Sequence, residues 1–110
     1  MNKSNLELQI PIKAKTNERL SSKQKSIFIF EGVNKSDVDA IFVSARPSCG
    51  CTSPSQPLII KAGENFAISL AINKINQSGF TSQMVRFKYQ NAENMDEIVE
   101  FELKVSGNII

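Results

Sequence analysis

The sequence predicts an all-β chain folded as a two-layer antiparallel sandwich of about seven strands. Three observations carry that prediction. Apolar and polar residues alternate with period 2 in several separate segments, the segments recur roughly every 8–14 residues, and Gly, Asn, Ser and Pro clusters punctuate them. No segment shows a convincing helical period. A chain of 110 residues that is 41% hydrophobic forms one domain with an adequate core.

Leu6, Leu8, Ile10 and Ile12 alternate with Glu7, Gln9 and Pro11, a strand with one buried face. Pro11 has no N–H to give to a ladder, which places this strand at a sheet edge. Residues 13–25 are polar and read as a long connection that Leu20 pins to the body. Ile27-Phe28-Ile29-Phe30 is continuously apolar and stops at Glu31-Gly32. A sandwich strand alternates, so one pair here lacks a covering layer, and either the 13–25 connection or a partner protein supplies it.

Asn34-Lys35-Ser36-Asp37 is a turn cluster, and the strand after it runs from Val38 to Ala45. Ile41, Val43 and Ala45 are expected on one face of it and Phe42 on the other. Residues 45–54, Ala-Arg-Pro-Ser-Cys-Gly-Cys-Thr-Ser-Pro, hold both cysteines and two of the four prolines and read as a loop between strands. Pro57 to Lys61 is a short strand, and Ala62-Gly63-Glu64-Asn65 turns the chain with Gly63 free to take positive φ. Phe66, Ile68, Leu70 and Ile72 form the cleanest alternation. After the turn at Asn76-Gln77-Ser78-Gly79, a strand from Phe80 to Gln90 points Val85, Phe87 and Tyr89 inward.

Asn91 to Asp96 reads as a loop, and the last strand points Val99, Phe101, Leu103 and Val105 inward. Antiparallel pairing about Asn94 sets Arg86 opposite Glu102 and Lys88 opposite Glu100 on one face. On the other it sets Phe87 opposite Phe101 and Val85 opposite Leu103. Both faces agree on a single register, as a specified hairpin requires.

Net charge is +2, but its distribution is uneven. Residues 1–30 carry six Lys/Arg against two Glu, whereas residues 91–110 carry five acidic residues against Lys104. Opposed ends can pair within the chain or steer copies together. The basic residues are not interleaved with aromatics, so nucleic acid is not an expected partner. With no His, the commonest general base and metal ligand are missing. No apolar run approaches the ~18 residues of a membrane span. Met1-Asn2-Lys3-Ser4-Asn5 leads straight into the first alternating segment without a charged-then-apolar leader, so synthesis in the cytoplasm without a signal peptide is expected.

The motif Ser48-Cys49-Gly50-Cys51-Thr52, preceded by Pro47, resembles the hallmark loop of a bacterial Ig-like domain family of unknown function. That family is itself similar to Hydin-like and major-sperm-protein-like sandwiches. The resemblance covers about residues 26–107, with residues 1–25 as an added edge strand and connection. Phe28 and Phe30 stand at the family's paired-Phe strand, Ile41 to Val43 where a strand enters the loop, Gly79-Phe80 at its hairpin and Gly107 at its closing glycine. Ala62-Gly63-Glu64 departs from the usual Pro-Gly-Glu while keeping the glycine. Typical members are exported, often with a lipidated N-terminus, and no segment of that kind is seen in this sequence. The resemblance implies an Ig-like antiparallel β-sandwich and no particular activity.

Three readings of Cys49 and Cys51 compete. As a metal site they supply two soft ligands, whereas zinc takes four. As a redox or passive disulfide they close a small ring, Gly50 permitting the bend, with no His or helix N-terminus evident to activate a thiol. As a structural corner they act as small apolar side chains in a partly buried loop, and cytosolic synthesis, which keeps thiols reduced, favours this reading. Asp37/Asp39 and Asp96/Glu97 are acidic pairs beside loops, read as solvated rather than catalytic. Tyr89, the single tyrosine, reads as an inner-face residue with its hydroxyl at the rim.

The expected function is therefore a non-enzymatic structural or interaction module within a larger assembly, with other protein subunits as partners. No cofactor, metal or small-molecule substrate is expected. Candidate contacts are the surplus apolar residues Ile27, Phe28, Ile29, Phe30, Ile109 and Ile110. A virion accessory protein, decorating a capsid or adapting a head or tail, is the leading assignment and a virion the corresponding location. The alternatives are a cell-envelope adhesion or scaffold domain with its signal removed, and a thiol redox or metal-binding protein using Cys49 and Cys51.

Overall fold

In the computed structural model, which describes residues 5–10, 26–73 and 79–109, two four-stranded antiparallel sheets pack face to face. The strands are β1 (Leu8–Gln9), β2 (Ser26–Asn34), β3 (Ala40–Pro47), β4 (Thr52–Ser55), β5 (Ile59–Ile60), β6 (Asn65–Ile72), β7 (Gly79–Asn91) and β8 (Asn94–Ile109). The first sheet runs β1-β2-β6-β4 and the second β5-β3-β7-β8. The sandwich is the predicted one, and the strand beyond the expected seven is β4, inside the cysteine segment. Pro11, Ile12, the 13–25 connection with Leu20, the turn at 76–78 and Ile110 lie outside the described residues.

Period-2 alternation places the core as read. Phe66, Ile68, Leu70 and Ile72 of β6 face Val85, Phe87 and Tyr89 of β7 and Leu103 and Val105 of β8 across a dry interior. The β7–β8 register matches the charge and ring pairing, with Arg86 opposite Glu102, Lys88 opposite Glu100, Phe87 opposite Phe101 and Val85 opposite Leu103. Phe87 stacks on Phe101 with ring centroids 5.4 Å apart. Gly63 has φ 73°, the positive value its turn requires.

Three expectations change. The β3 ladder slips between Phe42 and Ser44, a bulge at Val43. An extra residue reverses parity, so Ala40, Phe42 and Ala45 turn to the core while Val43 stays 41% exposed. The expected Asn91–Asp96 loop shrinks to a turn at Ala92-Glu93, because Asn91 already pairs with Asn94 and the chain then bulges at 95–97 before Ile98 meets Gln90. The Asn34–Asp37 turn hides a buried node, in which the Asn34 amide donates to the carbonyls of Val38 (2.9 Å), Ile60 (3.2 Å) and Lys61 (3.3 Å). Its Oδ1 accepts from the Ser36 N–H at 3.0 Å and from the Ser36 hydroxyl.

Candidate functional site

The cysteine segment is a corner that carries the chain from one sheet to the other. β3 ends in the second sheet with Pro47 opposite Val85, and β4 begins in the first with Thr52 opposite Ile72. Ser48 closes the end of β3: its N–H donates to the Met84 carbonyl at 2.8 Å, and its hydroxyl accepts from the Met84 N–H at 3.1 Å. Cys49 and Cys51 then form a disulfide with Cα atoms 5.2 Å apart. Thr52 N–H donates to the Cys49 carbonyl at 3.1 Å and Asn73 N–H to the Cys51 carbonyl at 2.8 Å.

The bridge corrects the preference for reduced thiols. The cysteines are half-buried and Gly50 is exposed, while Thr52 is buried beneath them. Bridged sulfurs are not thiolate ligands, and no group of three or more His, Cys, Asp or Glu side chains that could hold a metal ion occurs among the described residues.

One carboxylate of each acidic pair fastens a loop. Asp39 accepts from the Ala62 N–H at 2.8 Å. Glu97 accepts from the Asn91 amide at 2.8 Å and from the Leu6 N–H at 3.1 Å, and these bonds hold its carboxyl below the usual carboxylate range. Tyr89 is fully buried, and its hydroxyl donates to the Pro57 carbonyl at 2.7 Å. Burial pushes its phenol well above the usual tyrosine range.

Of the predicted partner contacts among the described residues, only the isoleucines of β2 are exposed. Ile27 and Ile29 are 61% and 62% exposed on the outer face of the first sheet. Phe28 and Phe30 are core residues, because a strand sends successive side chains to opposite faces. Ile109 is buried as well and belongs to the core at the end of β8.

The cross-strand neighbours of Ile27 and Ile29 are small and uncharged, and Glu31 follows on the same face of β2. Ile27 pairs across to Ala71 and on to Ser53, and Ile29 pairs to Ser69 and on to Ser55. Shallow grooves of about 660 and 380 Å³ flank these rows, one reaching Glu31 and Gly32, the other Ser55 and Gln56. Gln56 Oε1 is buried without a hydrogen-bond partner.

A second apolar patch was not foreseen. Ile59 pairs with Ile41, Ile41 with Gln90 and Gln90 with Ile98, one row across the outer face of the second sheet. Ile59 and Ile98 are about half exposed there, next to exposed Leu58. Its members lie far apart in sequence, and only the pairing of four strands brings them into one row. Beyond it lies a charged ladder, Arg86 to Glu100 at 3.1 Å and to Glu102 at 2.9 Å, with Lys88 to Glu100 at 3.9 Å.

These features define an Ig-like sandwich with exposed apolar rows and an oxidised corner. The chain belongs to the family described as "Protein of unknown function (DUF1573)", whose model matches residues 8–105, the cysteine corner included. Among solved structures it is similar to the ASH / PapD-like domain 7 of human CEP192, with TM-score 0.70 and 14% identity over 94% of this chain and 84% of that one. It is also similar to part of the Vibrio cholerae VesB protease, with TM-score 0.57 and 11% identity over 96% of this chain and 31% of that one. At such identities the likeness is one of fold. No curated protein matches the chain.

Proposed function

We propose that the chain is a non-enzymatic interaction module that works by covering the outer face of its first sheet with another protein. The observation that carries this reading is the pair Ile27 and Ile29, 61% and 62% exposed over a floor of Ala71, Ser69, Ser53 and Ser55. Two large aliphatic side chains above small neighbours form a ridge that a complementary surface can grip, and burying a side chain of this size is worth about 1.5–3 kcal/mol. Affinity capture from cells that make the protein, comparing wild type with Ile27→Glu/Ile29→Glu, tests it. A partner held by wild type and lost by a variant of unchanged thermal stability supports the reading. Equal capture by both removes it.

The finer assignment to a virion draws on the sequence alone. Its test is whether the chain sediments with particles on a density gradient. A second reading, thiol exchange, is favoured by the half-buried disulfide at an exposed turn. Reduction that left every binding property unchanged would remove it.

A further inference from the structure

We propose that two copies of this chain pair edge to edge through β8, antiparallel about Leu103, joining their second sheets into one continuous sheet. The reading is independent of the Ile27/Ile29 surface, which lies on the other sheet.

The first argument is the contrast among sheet edges. The first sheet ends on β1, of 2 residues, and on β4, of 4 residues including Pro54. The second ends on β5, of 2 residues, and on β8, of 16. Short strands and proline are how folds keep edges from pairing with other chains. Three outer strands here are short in that way and the fourth is not, although among the described residues β2 before Val33 and β3 after Ile41 also have no ladder on their outer side. Among the described residues, no strand pairs with the outer side of β8.

Burial adds a second argument. On β7, which has strands on both sides, Tyr89 and Phe87 are fully buried, as are Val85 and its β8 counterpart Leu103. Val99 and Phe101, the β8 counterparts of Tyr89 and Phe87, pack on the same core but remain partly exposed. A further strand beside β8 would cover them.

Charge then selects the occupant and the register. Glu100, Glu102 and Lys104 share the outer face of β8, and Lys104 takes part in no ion pair among the described residues. In a two-fold pairing centred on Phe101, Glu100 of each copy faces Glu102 of the other. Centred on Glu102, Glu100 of each copy faces Lys104 of the other, but Glu102 faces itself at the centre. Centred on Leu103, Glu102 of each copy faces Lys104 of the other, with no like charges opposed, and Phe101 faces Val105 on the inner side. Opposite charges directly across strands stabilise and like charges destabilise, so this edge is complementary to itself in that register.

Analytical ultracentrifugation of the full chain tests the proposal with two charge-reversal variants, Lys104→Glu and Glu102→Lys. Wild type is expected to dimerise at about 0.1 mM or below. Each variant alone opposes two like-charged pairs, and its Kd should rise by about tenfold or more. Mixing the two variants restores both Glu–Lys pairs, so heterodimers should recover close to wild-type affinity. Far-UV circular dichroism confirms that each variant is folded, and a misfolded chain would not regain association on mixing. A wild type that stays monomeric at this concentration overturns the proposal. So does dimerisation insensitive to either reversal, or a mixture no tighter than its components.

Discussion

At the scale of single residues, the tightest constraint is Asn34, buried at the end of β2 with its amide shared among three backbone carbonyls. Asn34→Ala leaves those acceptors in a dry site, and a loss of about 2–3 kcal/mol in urea denaturation is expected. In the sequence this asparagine is indistinguishable from a solvent-facing turn residue, because its partners on β5 lie far along the chain. Glu97 gives a pH dependence. Its folded pKa is depressed, so the stability it contributes is present above the ordinary carboxylate range and is lost as pH falls through the folded value. The urea midpoint should therefore fall on acidification, and fall less in Glu97→Gln. Gly32 shows a constraint of space: an added Cβ would lie 2.7 Å from the Gln9 carbonyl oxygen and 2.7 Å from the Phe66 ring. Gly32→Ala should cost about 1–3 kcal/mol and loosen β1, read as faster amide exchange at Leu8 and Gln9.

Within the elements, the β7–β8 hairpin separates packing from charge. Phe87 is fully buried against Phe101, whereas the Arg86 side chain is 50% exposed beside its two glutamates. Phe87→Ala should lose about 3–5 kcal/mol and Arg86→Ala no more than about 1 kcal/mol. Comparable losses in thermal denaturation would contradict this division. The hairpin was legible because both faces of both strands agreed on one register. The face of β3 was not, since the bulge at Val43 changes its parity and a bulge leaves no mark in a run such as Ile41-Phe42-Val43. β4 was hidden for another reason: Thr52-Ser53-Pro54-Ser55 has turn composition, and it is a strand because β6 offers it a ladder. The disulfide before it spans two positions, so it constrains little of the unfolded chain. Cys49→Ser/Cys51→Ser should cost only about 1–2 kcal/mol, checked as the shift in denaturant midpoint against wild type.

Across the whole molecule, the sandwich follows from alternation that the sequence shows openly, while its surfaces follow from which strands become neighbours. Ile27 and Ile29 stood out because they break alternation locally. The row from Ile59 to Ile98 did not, because it exists only once four strands align. The buried phenol of Tyr89 has a practical consequence at this scale. The chain has one tyrosine and no tryptophan, so its long-wavelength absorbance and its intrinsic fluorescence come from a ring beside Phe42 and Phe101 in the core. Its phenol pKa is raised in the folded state, so the stability it contributes holds below the ordinary tyrosine value near 10 and declines above it. In an alkaline titration the tyrosinate band at 295 nm should appear together with loss of the far-UV β signal, later than in a denatured chain. Nature has thus installed a single optical reporter at the centre of the molecule, and one wavelength follows the opening of both sheets.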